Sequence, residues 1–179
     1  MGLISGIMLE GVELYQLEKN VDSRGSFTEI FQKHWESCID PVQWSVVESD
    51  PGVFRGMHYH NRHDEYFSLI SGRCLVGLKD LRPGSPTFEG YSLFELTADS
   101  PSAVTFPRRI LHGWYFIQTS IHIQSVSESY NNYSADDNLG CRWNDKDLGI
   151  PWPFSEAVVS ERADSFPGYK KLLDYLKEL

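Results

Sequence analysis

The sequence predicts an all-β fold, an antiparallel barrel or jelly roll closed by one short C-terminal helix. Three observations predict it. Short runs rich in aromatic and β-branched residues recur along the chain, turn-forming residues separate them, and the apolar spacing becomes helical only after Pro167. At 179 residues the chain is long enough to bury a full core as one domain. Within that domain the sequence divides into an N-terminal arm with strands over 1–42, a barrel over 43–153, and a tail with a helix over 154–179.

Residues 12–17, 27–31, 43–47, 66–70, 74–79, 91–96, 104–106, 114–118 and 121–126 read as strands by partial alternation and β-branched or aromatic content. Asp22-Ser-Arg-Gly25, Asp50-Pro-Gly52, Ser71-Gly72, Arg82-Pro-Gly-Ser-Pro86 and Asp99-Ser-Pro101 supply the turns between them. Roughly ten short strands at this spacing indicate a jelly roll or barrel. At the end of the chain Leu172, Leu173, Leu176 and Leu179 fall on one helical stripe, predicting a helix packed on the barrel's outside. Trp143 and Trp152 are expected to pack the C-terminal segment against the barrel.

Hydrophobic content of 41% and charged content of 23% are those of a globular protein. The 16 basic and 25 acidic residues give a net charge of −9, which disfavours nucleic acids and anionic membranes as partners. A small anionic substrate stays compatible, since a few local arginines outweigh a global charge. Cys38, Cys74 and Cys141 are widely spaced without a CxxC pair and read as thiols in a reducing compartment. The N-terminal Met-Gly-Leu-Ile-Ser-Gly has no basic region followed by a long apolar one, and no apolar run approaches the ~20 residues of a membrane span. A cytoplasmic protein is the expectation.

The chemistry concentrates in Gly52-Val-Phe-Arg55-Gly-Met-His58-Tyr-His60-Asn-Arg-His-Asp-Glu65, closed by Gly72, and in Pro107-Arg-Arg-Ile-Leu-His112. On a strand, residues i and i+2 share a face, so His58 and His60 are expected to converge. Three imidazoles and a carboxylate suit a divalent transition metal (zinc, iron, manganese or nickel) with open positions for a ligand. His58, His60, Glu65 and His112 are the candidate metal ligands. No organic cofactor is expected. The spacing resembles the paired cupin motifs G-x5-H-x-H-x4-E-x6-G and P-x-G-x2-H, with Arg109 in place of the second motif's glycine. That resemblance implies a double-stranded β-helix jelly roll. His34, His63 and His122 read as surface or packing histidines.

From about Gly11 to Asp164 the chain is also similar to the dTDP-4-dehydrorhamnose 3,5-epimerases. The residues that carry this are Asp22-Ser-Arg-Gly-Ser-Phe27-Thr-Glu29, Arg55-Gly-Met-His58-Tyr, Asp80-Leu-Arg-Pro-Gly-Ser-Pro-Thr-Phe88, His112-Gly-Trp and Arg142-Trp-Asn-Asp-Lys-Asp-Leu-Gly-Ile-Pro-Trp152-Pro. The resemblance implies a metal-free homodimer in which His58 removes protons beside the 4-keto group. An acid orients that base, a lysine steadies the enolate, and a tyrosine reprotonates the opposite face. It further implies that Arg24, Phe27 and Glu29 bind nucleotide across the dimer, that Gln43 and Arg55 contact nucleotide and pyrophosphate, and that His112 lies at the substrate.

The chain departs from that pattern at four chemical positions. Glu65 stands for the lysine, Ser127 for the tyrosine, His63 for the preceding glutamine, and Ala163 for the late acid, with Asp164 one residue on. The candidate catalytic set is therefore His58, Glu65, Tyr133 and Asp164. Glu65 beside a forming enolate would repel it unless a metal intervened. A metal-bound His58, however, has no free lone pair for proton abstraction, so either no metal sits there or another residue near the mouth, Tyr130, Tyr133 or His63, moves the proton. Three functions stay open: a nucleotide-sugar epimerase or isomerase, a metal-dependent cupin acting as oxygenase or isomerase on another substrate, and a non-catalytic sugar-binding cupin.

Overall fold

The structure is a computed structural model that describes residues 2–37, 39–133 and 137–179. The strands are β1 Gly2–Gly6, β2 Glu13–Gln16, β3 Lys19–Asp22, β4 Gly25–Thr28, β5 Gln43–Ser49, β6 Phe54–Tyr59, β7 Glu65–Ser71, β8 Arg73–Asp80, β9 Tyr91–Thr97, β10 Ser102–Phe106, β11 Ile110–Phe116, β12 Ser120–Val126 and β13 Leu139–Gly140. The helices are α1 Tyr130–Tyr133, α2 Glu161–Asp164 and α3 Tyr169–Lys177. One sheet runs β1-β9-β8-β11-β6-β13, a second runs β2-β10-β7-β12-β5, and β3-β4 forms a separate hairpin. All these strand pairs are antiparallel, and the two large sheets are the walls of a jelly roll.

Strand periodicity sorts the side chains into layers. On β8, Cys74, Val76 and Leu78 point between the sheets into a core with Phe67, Leu69, Phe94 and Phe106. Their neighbour Leu75 faces the other way, as do Phe54, Met57, Tyr59 and Leu111. This outer face of the first sheet is covered by the C-terminal segment, through Trp143, Trp152, Phe154 and Leu172. Trp152 meets Phe54 edge-on with ring centroids 5.1 Å apart. Because Met57 and Tyr59 are anchored under that cover, the residue between them, His58, is turned to the interior. The outer face of the second sheet is capped more lightly, with Tyr66 and Leu17 beneath Phe31 and Trp35.

The predicted strands appear within a few residues of their expected bounds, with informative differences. The run at 27–31 ends at Thr28, since Ile30 and Phe31 leave the hairpin to cap Tyr66. The run at 114–118 starts earlier, at Ile110, and stops at Phe116. Strands β1, β3, β6 and β13 fall outside the runs chosen by periodicity. β3 is exposed throughout and exists through its hairpin register with β4, so hydrophobic alternation cannot reveal it. The helix ends at Lys177, leaving Leu179 70% exposed beyond the stripe formed by Leu172, Leu173 and Leu176. Cys74 and Cys141 are buried free thiols, while Cys38 lies outside the described residues. No helix among the described residues is long and apolar enough to cross a membrane.

The motif glycines are conformational requirements. Gly52 and Gly72 have φ of 81° and 85°, and a Cβ on Gly72 would lie 2.5 Å from the Thr119 carbonyl oxygen. Arg109, standing where the second motif has glycine, keeps the left-handed backbone at φ 68°. Its amide donates to the His60 carbonyl at 2.7 Å and its Nε donates to Asn61 Oδ1 at 2.7 Å. The turn geometry of the motif survives although its usual residue does not.

Candidate active site

Between the sheets, at the end formed by β6, β7, β11 and β12, lies a cavity of about 470 Å³. Its chemical wall consists of His58, His60, His63, Glu65, His112 and Tyr133. His58 on β6 pairs in register with His112 on β11, which sets two imidazoles side by side with ring centroids 5.9 Å apart. Glu65 opens β7 on the facing sheet and is 4% exposed. His60 lies one residue past the end of β6, released from strand alternation, and moves toward Glu65 instead of staying parallel to His58. Its ring centroid is 6.3 Å from that of His58.

Glu65 Oε1 is the meeting point of the other three histidines. It lies 3.0 Å from His60 Nε2, 3.5 Å from His112 Nε2 and 3.6 Å from His63 Nε2. Each far ring nitrogen is also met by oxygen. His60 Nδ1 is 2.5 Å from the Asp137 carbonyl, His112 Nδ1 is 3.0 Å from the Ile110 carbonyl, and His63 Nδ1 is 3.0 Å from Asp137 Oδ2. The His63 contacts lie off the hydrogen-bond directions of its ring, so the attraction there is one of charge. Tyr133 stacks on His63 with centroids 4.3 Å apart.

These surroundings set the protonation states. Burial pushes the Glu65 carboxyl up, but His112, His60 and His63 outweigh it and hold the group well below the usual carboxylate range. Burial takes His112 down to about 4 despite Glu65. Desolvation, followed by the neighbouring His112, His60 and Arg162, holds His58 well below the ordinary imidazole value. For His63, burial is overcome by Asp137 and Glu65, which raise it to about 9. The Tyr133 phenol is raised to about 12, first by burial and then by Glu65 and Asp137.

Arg55 also lines the cavity, its Nε donating to Ser49 Oγ at 2.9 Å. Other candidates lie elsewhere. Gln43 sits at the start of β5, where its Oε1 accepts the Tyr130 amide at 2.9 Å. Arg24 pairs with Asp22 on the β3-β4 hairpin, and Phe27 and Glu29 are exposed on and just beyond that hairpin, away from the cavity. Asp164 is exposed at the end of α2, whereas Ala163 faces the cavity. The helix turns its small residue inward, so Asp164 does not take the place of the late acid. Ser127 Oγ accepts the Asp64 amide at 2.8 Å and is occupied in the loop.

His122 is a packing residue, fully buried and stacked on Phe67 at 4.7 Å, and His34 is exposed. His63, also expected at the surface or in packing, is 1% exposed and lies within the cluster, stacked on Tyr133. Asp137 was not signalled by any motif. Its carboxylate accepts the Asn61 amide at 2.7 Å and the Arg62 amide at 3.0 Å, which pins the loop carrying His60 and His63. The paired acids Asp136-Asp137 were the one local hint, and an acidic pair on a loop is usually just solvated.

A two-sheet jelly roll with an imidazole- and carboxylate-lined cavity between its sheets is a cupin barrel. The family description "dTDP-4-dehydrorhamnose 3,5-epimerase" matches residues 7–171, and the chain belongs to that family of enzymes. It is 32% identical to the dTDP-4-dehydrorhamnose 3,5-epimerase of Shigella flexneri, over 79% of this chain and 81% of that one. It is 28% identical to the spore coat polysaccharide biosynthesis protein SpsL of Bacillus subtilis (strain 168), over 81% of this chain and 97% of the relative. The crystal structure of the Bacillus anthracis str. Ames dTDP-4-dehydrorhamnose 3,5-epimerase, with TDP and pyrophosphate bound, superposes with a TM-score of 0.81. That pair is 28% identical and the match covers 92% of this chain and 98% of that one.

Proposed function

We propose that the protein epimerises a nucleotide-linked 4-keto-6-deoxy sugar, with His58 as the base that removes a proton next to the carbonyl. The supporting observation is the position of His58: it faces the cavity from near the end of β6, in register with His112, and outside the set of histidines gathered on Glu65. A neutral imidazole there accepts the proton from carbon 3 or carbon 5, and the C–H electron pair moves onto the 4-keto oxygen as an enolate. Proton return from the opposite face inverts that carbon, with no net change in composition. Ser127 cannot donate that proton because its hydroxyl lacks the acidity and is bound in a loop. We assign the donation to Tyr133, which lines the cavity and keeps its phenol protonated.

On this reading Arg55 meets the anionic nucleotide portion, and the hairpin residues Arg24, Phe27 and Glu29, with Gln43, serve a nucleotide site completed by a second copy of the chain. The homodimer is supported by apolar surface in two places. Phe27 is 64% exposed on the hairpin, and Val46 is 72% exposed beside Trp44 on the edge strand β5. Placement in the cytoplasm belongs to the same proposal and is supported by the two buried free thiols.

The test is proton NMR of dTDP-4-keto-6-deoxyglucose incubated with the enzyme. Inversion at carbon 3, carbon 5 or both is expected, and a loss of about 100-fold or more is expected in His58→Asn. Tyr133→Phe is expected to retain proton removal while losing most inversion. Turnover that survives intact in His58→Asn overturns the assignment.

A further inference from the structure

We propose that Gln124 turns its amide NH2 group into the cavity as the hydrogen-bond donor to the substrate's 4-keto oxygen, and that His122 holds it in that orientation. The assignment rests on the epimerase reading above. Removing a proton beside a carbonyl drives negative charge onto the carbonyl oxygen, and a donor is needed where that charge develops. Glu65, at the position of the family lysine, presents a carboxylate, which only accepts. Arg55 is engaged with Ser49 Oγ and the Glu48 carbonyl, and His63 lies between Asp137 and Glu65. Arg162 is exposed and lies over the Phe166 ring.

Gln124 stands on β12 and His58 on β6, so the two line the cavity from facing sheets. In the register of β12 with β7, Gln124 is opposite Phe67 and Val126 is opposite Glu65. Alternation along β12 puts His122, Gln124 and Val126 on one face, the face that lines the cavity. A histidine and a glutamine at successive inward positions are costly unless they satisfy each other. They do so here, with His122 Nε2 at 3.3 Å from Gln124 Oε1.

The His122 tautomer decides which way the amide is turned. The ring is fully buried and stacked on Phe67 and Phe116, with centroids 4.7 and 5.4 Å away. Its Nδ1 has no hydrogen-bond partner among the described residues. Burial takes the group down to about 4, so the ring is neutral and carries one proton. A proton on Nδ1 would be a buried N–H without an acceptor. A proton on Nε2 leaves only a bare lone pair there, which is the smaller defect. Nε2–H therefore donates to Gln124, and the amide oxygen must face His122. The amide nitrogen is turned the other way, and among the described residues it has no hydrogen-bond partner. An NH2 group only donates and an enolate oxygen only accepts, so the two are matched. As the C–H electron pair moves onto that oxygen and the proton to His58, Gln124 strengthens its bond without giving up a proton.

The experiment compares full-length wild type with Gln124→Met, Gln124→Leu, His122→Phe and the double variant His122→Phe with Gln124→Met. Two quantities are read: kcat for proton exchange of dTDP-4-keto-6-deoxyglucose in heavy water, and the Kd of dTDP by calorimetry, which also shows that each variant is folded. Both Gln124 variants are expected to lose about 100-fold in kcat, with Kd for dTDP within about 3-fold of wild type. His122→Phe, which keeps the aromatic stack, is expected to lose about 10-fold in kcat and to cost nothing further in the Gln124→Met background. A Gln124→Met or Gln124→Leu enzyme that exchanges within about 3-fold of wild type overturns the donor assignment. Equal weakening of dTDP binding also overturns it, since that would make Gln124 a nucleotide contact. A His122→Phe loss that repeats in full on top of Gln124→Met overturns the positioning role. Wild type that binds the nucleotide sugar and exchanges neither proton overturns the epimerase reading and this assignment with it, whereas exchange unaffected by the Gln124 variants overturns this assignment alone.

Discussion

Replacing Asp137 with alanine tests whether the loop carrying His60 and His63 is held by one distant carboxylate. The side chain is 3% exposed and receives the amides of Asn61 and Arg62 at 2.7 and 3.0 Å. Hydrogen bonds to a charged acceptor contribute about 1.5–3 kcal/mol each. The Arg62 amide belongs to an exposed residue and regains water on mutation, so its share falls to about 1 kcal/mol, and the Asn61 bond brings the total to about 3 kcal/mol. Asp137→Asn retains one acceptor oxygen and is expected to cost about half as much. Urea unfolding at pH 7 with chelator present, followed by tryptophan fluorescence, reads both. With a slope of about 2–3 kcal/mol per molar urea, the alanine variant's midpoint drops by about 1–1.5 M. A drop worth less than about 1 kcal/mol would refute the clamp and leave the placement of the two histidines without a structural cause.

Three further outcomes follow from the same structure. Asp80 is fully buried and accepts from Arg82, Ser85 and Thr87, which overcome burial and bring its carboxyl from 3.8 to about 2. A folded value below the unfolded one stabilises above about pH 4, and this contribution of about 2 kcal/mol is lost as pH falls toward 2. Acid unfolding of wild type and Asp80→Asn should therefore converge at low pH, and a constant gap between them would contradict the assignment. Arg109→Gly is expected to change stability by less than about 1 kcal/mol, since glycine accepts the left-handed backbone while losing the Asn61 bond, whereas Arg109→Val should cost about 2 kcal/mol or more by thermal melting. Leu172→Ala, which empties the contact between α3 and the first sheet, is expected to cost about 2–4 kcal/mol. A smaller loss would mean that the C-terminal cover is dispensable.

The barrel was legible because its strands carry inward apolar residues at a period of two, and because Gly52 and Gly72 mark turns that need positive φ. The gathering of the site's imidazoles was legible in part. His60, Glu65 and His112 lie together as the spacing suggested, while His58 stands apart, because alternation was carried past the end of β6 at Tyr59. Beyond a strand end the period no longer holds, and His60 diverges from His58 for that reason. Asp137 was out of reach of pattern reading, as its partners Asn61 and Arg62 lie more than seventy residues earlier and are joined to it by tertiary structure. Asp164 was the opposite failure. Its chemistry suited the missing acid, but the helical turn of α2 points Ala163 inward instead.

The measurement closest to the central claim is deuterium incorporation from heavy water into dTDP-4-keto-6-deoxyglucose, followed by NMR at carbons 3 and 5. Base chemistry by His58 predicts exchange at one or both carbons in the wild type, and loss of that exchange in His58→Asn while nucleotide-sugar binding remains. A wild-type protein that binds the nucleotide sugar and exchanges neither proton would contradict the account and make this cavity a binding site without proton chemistry.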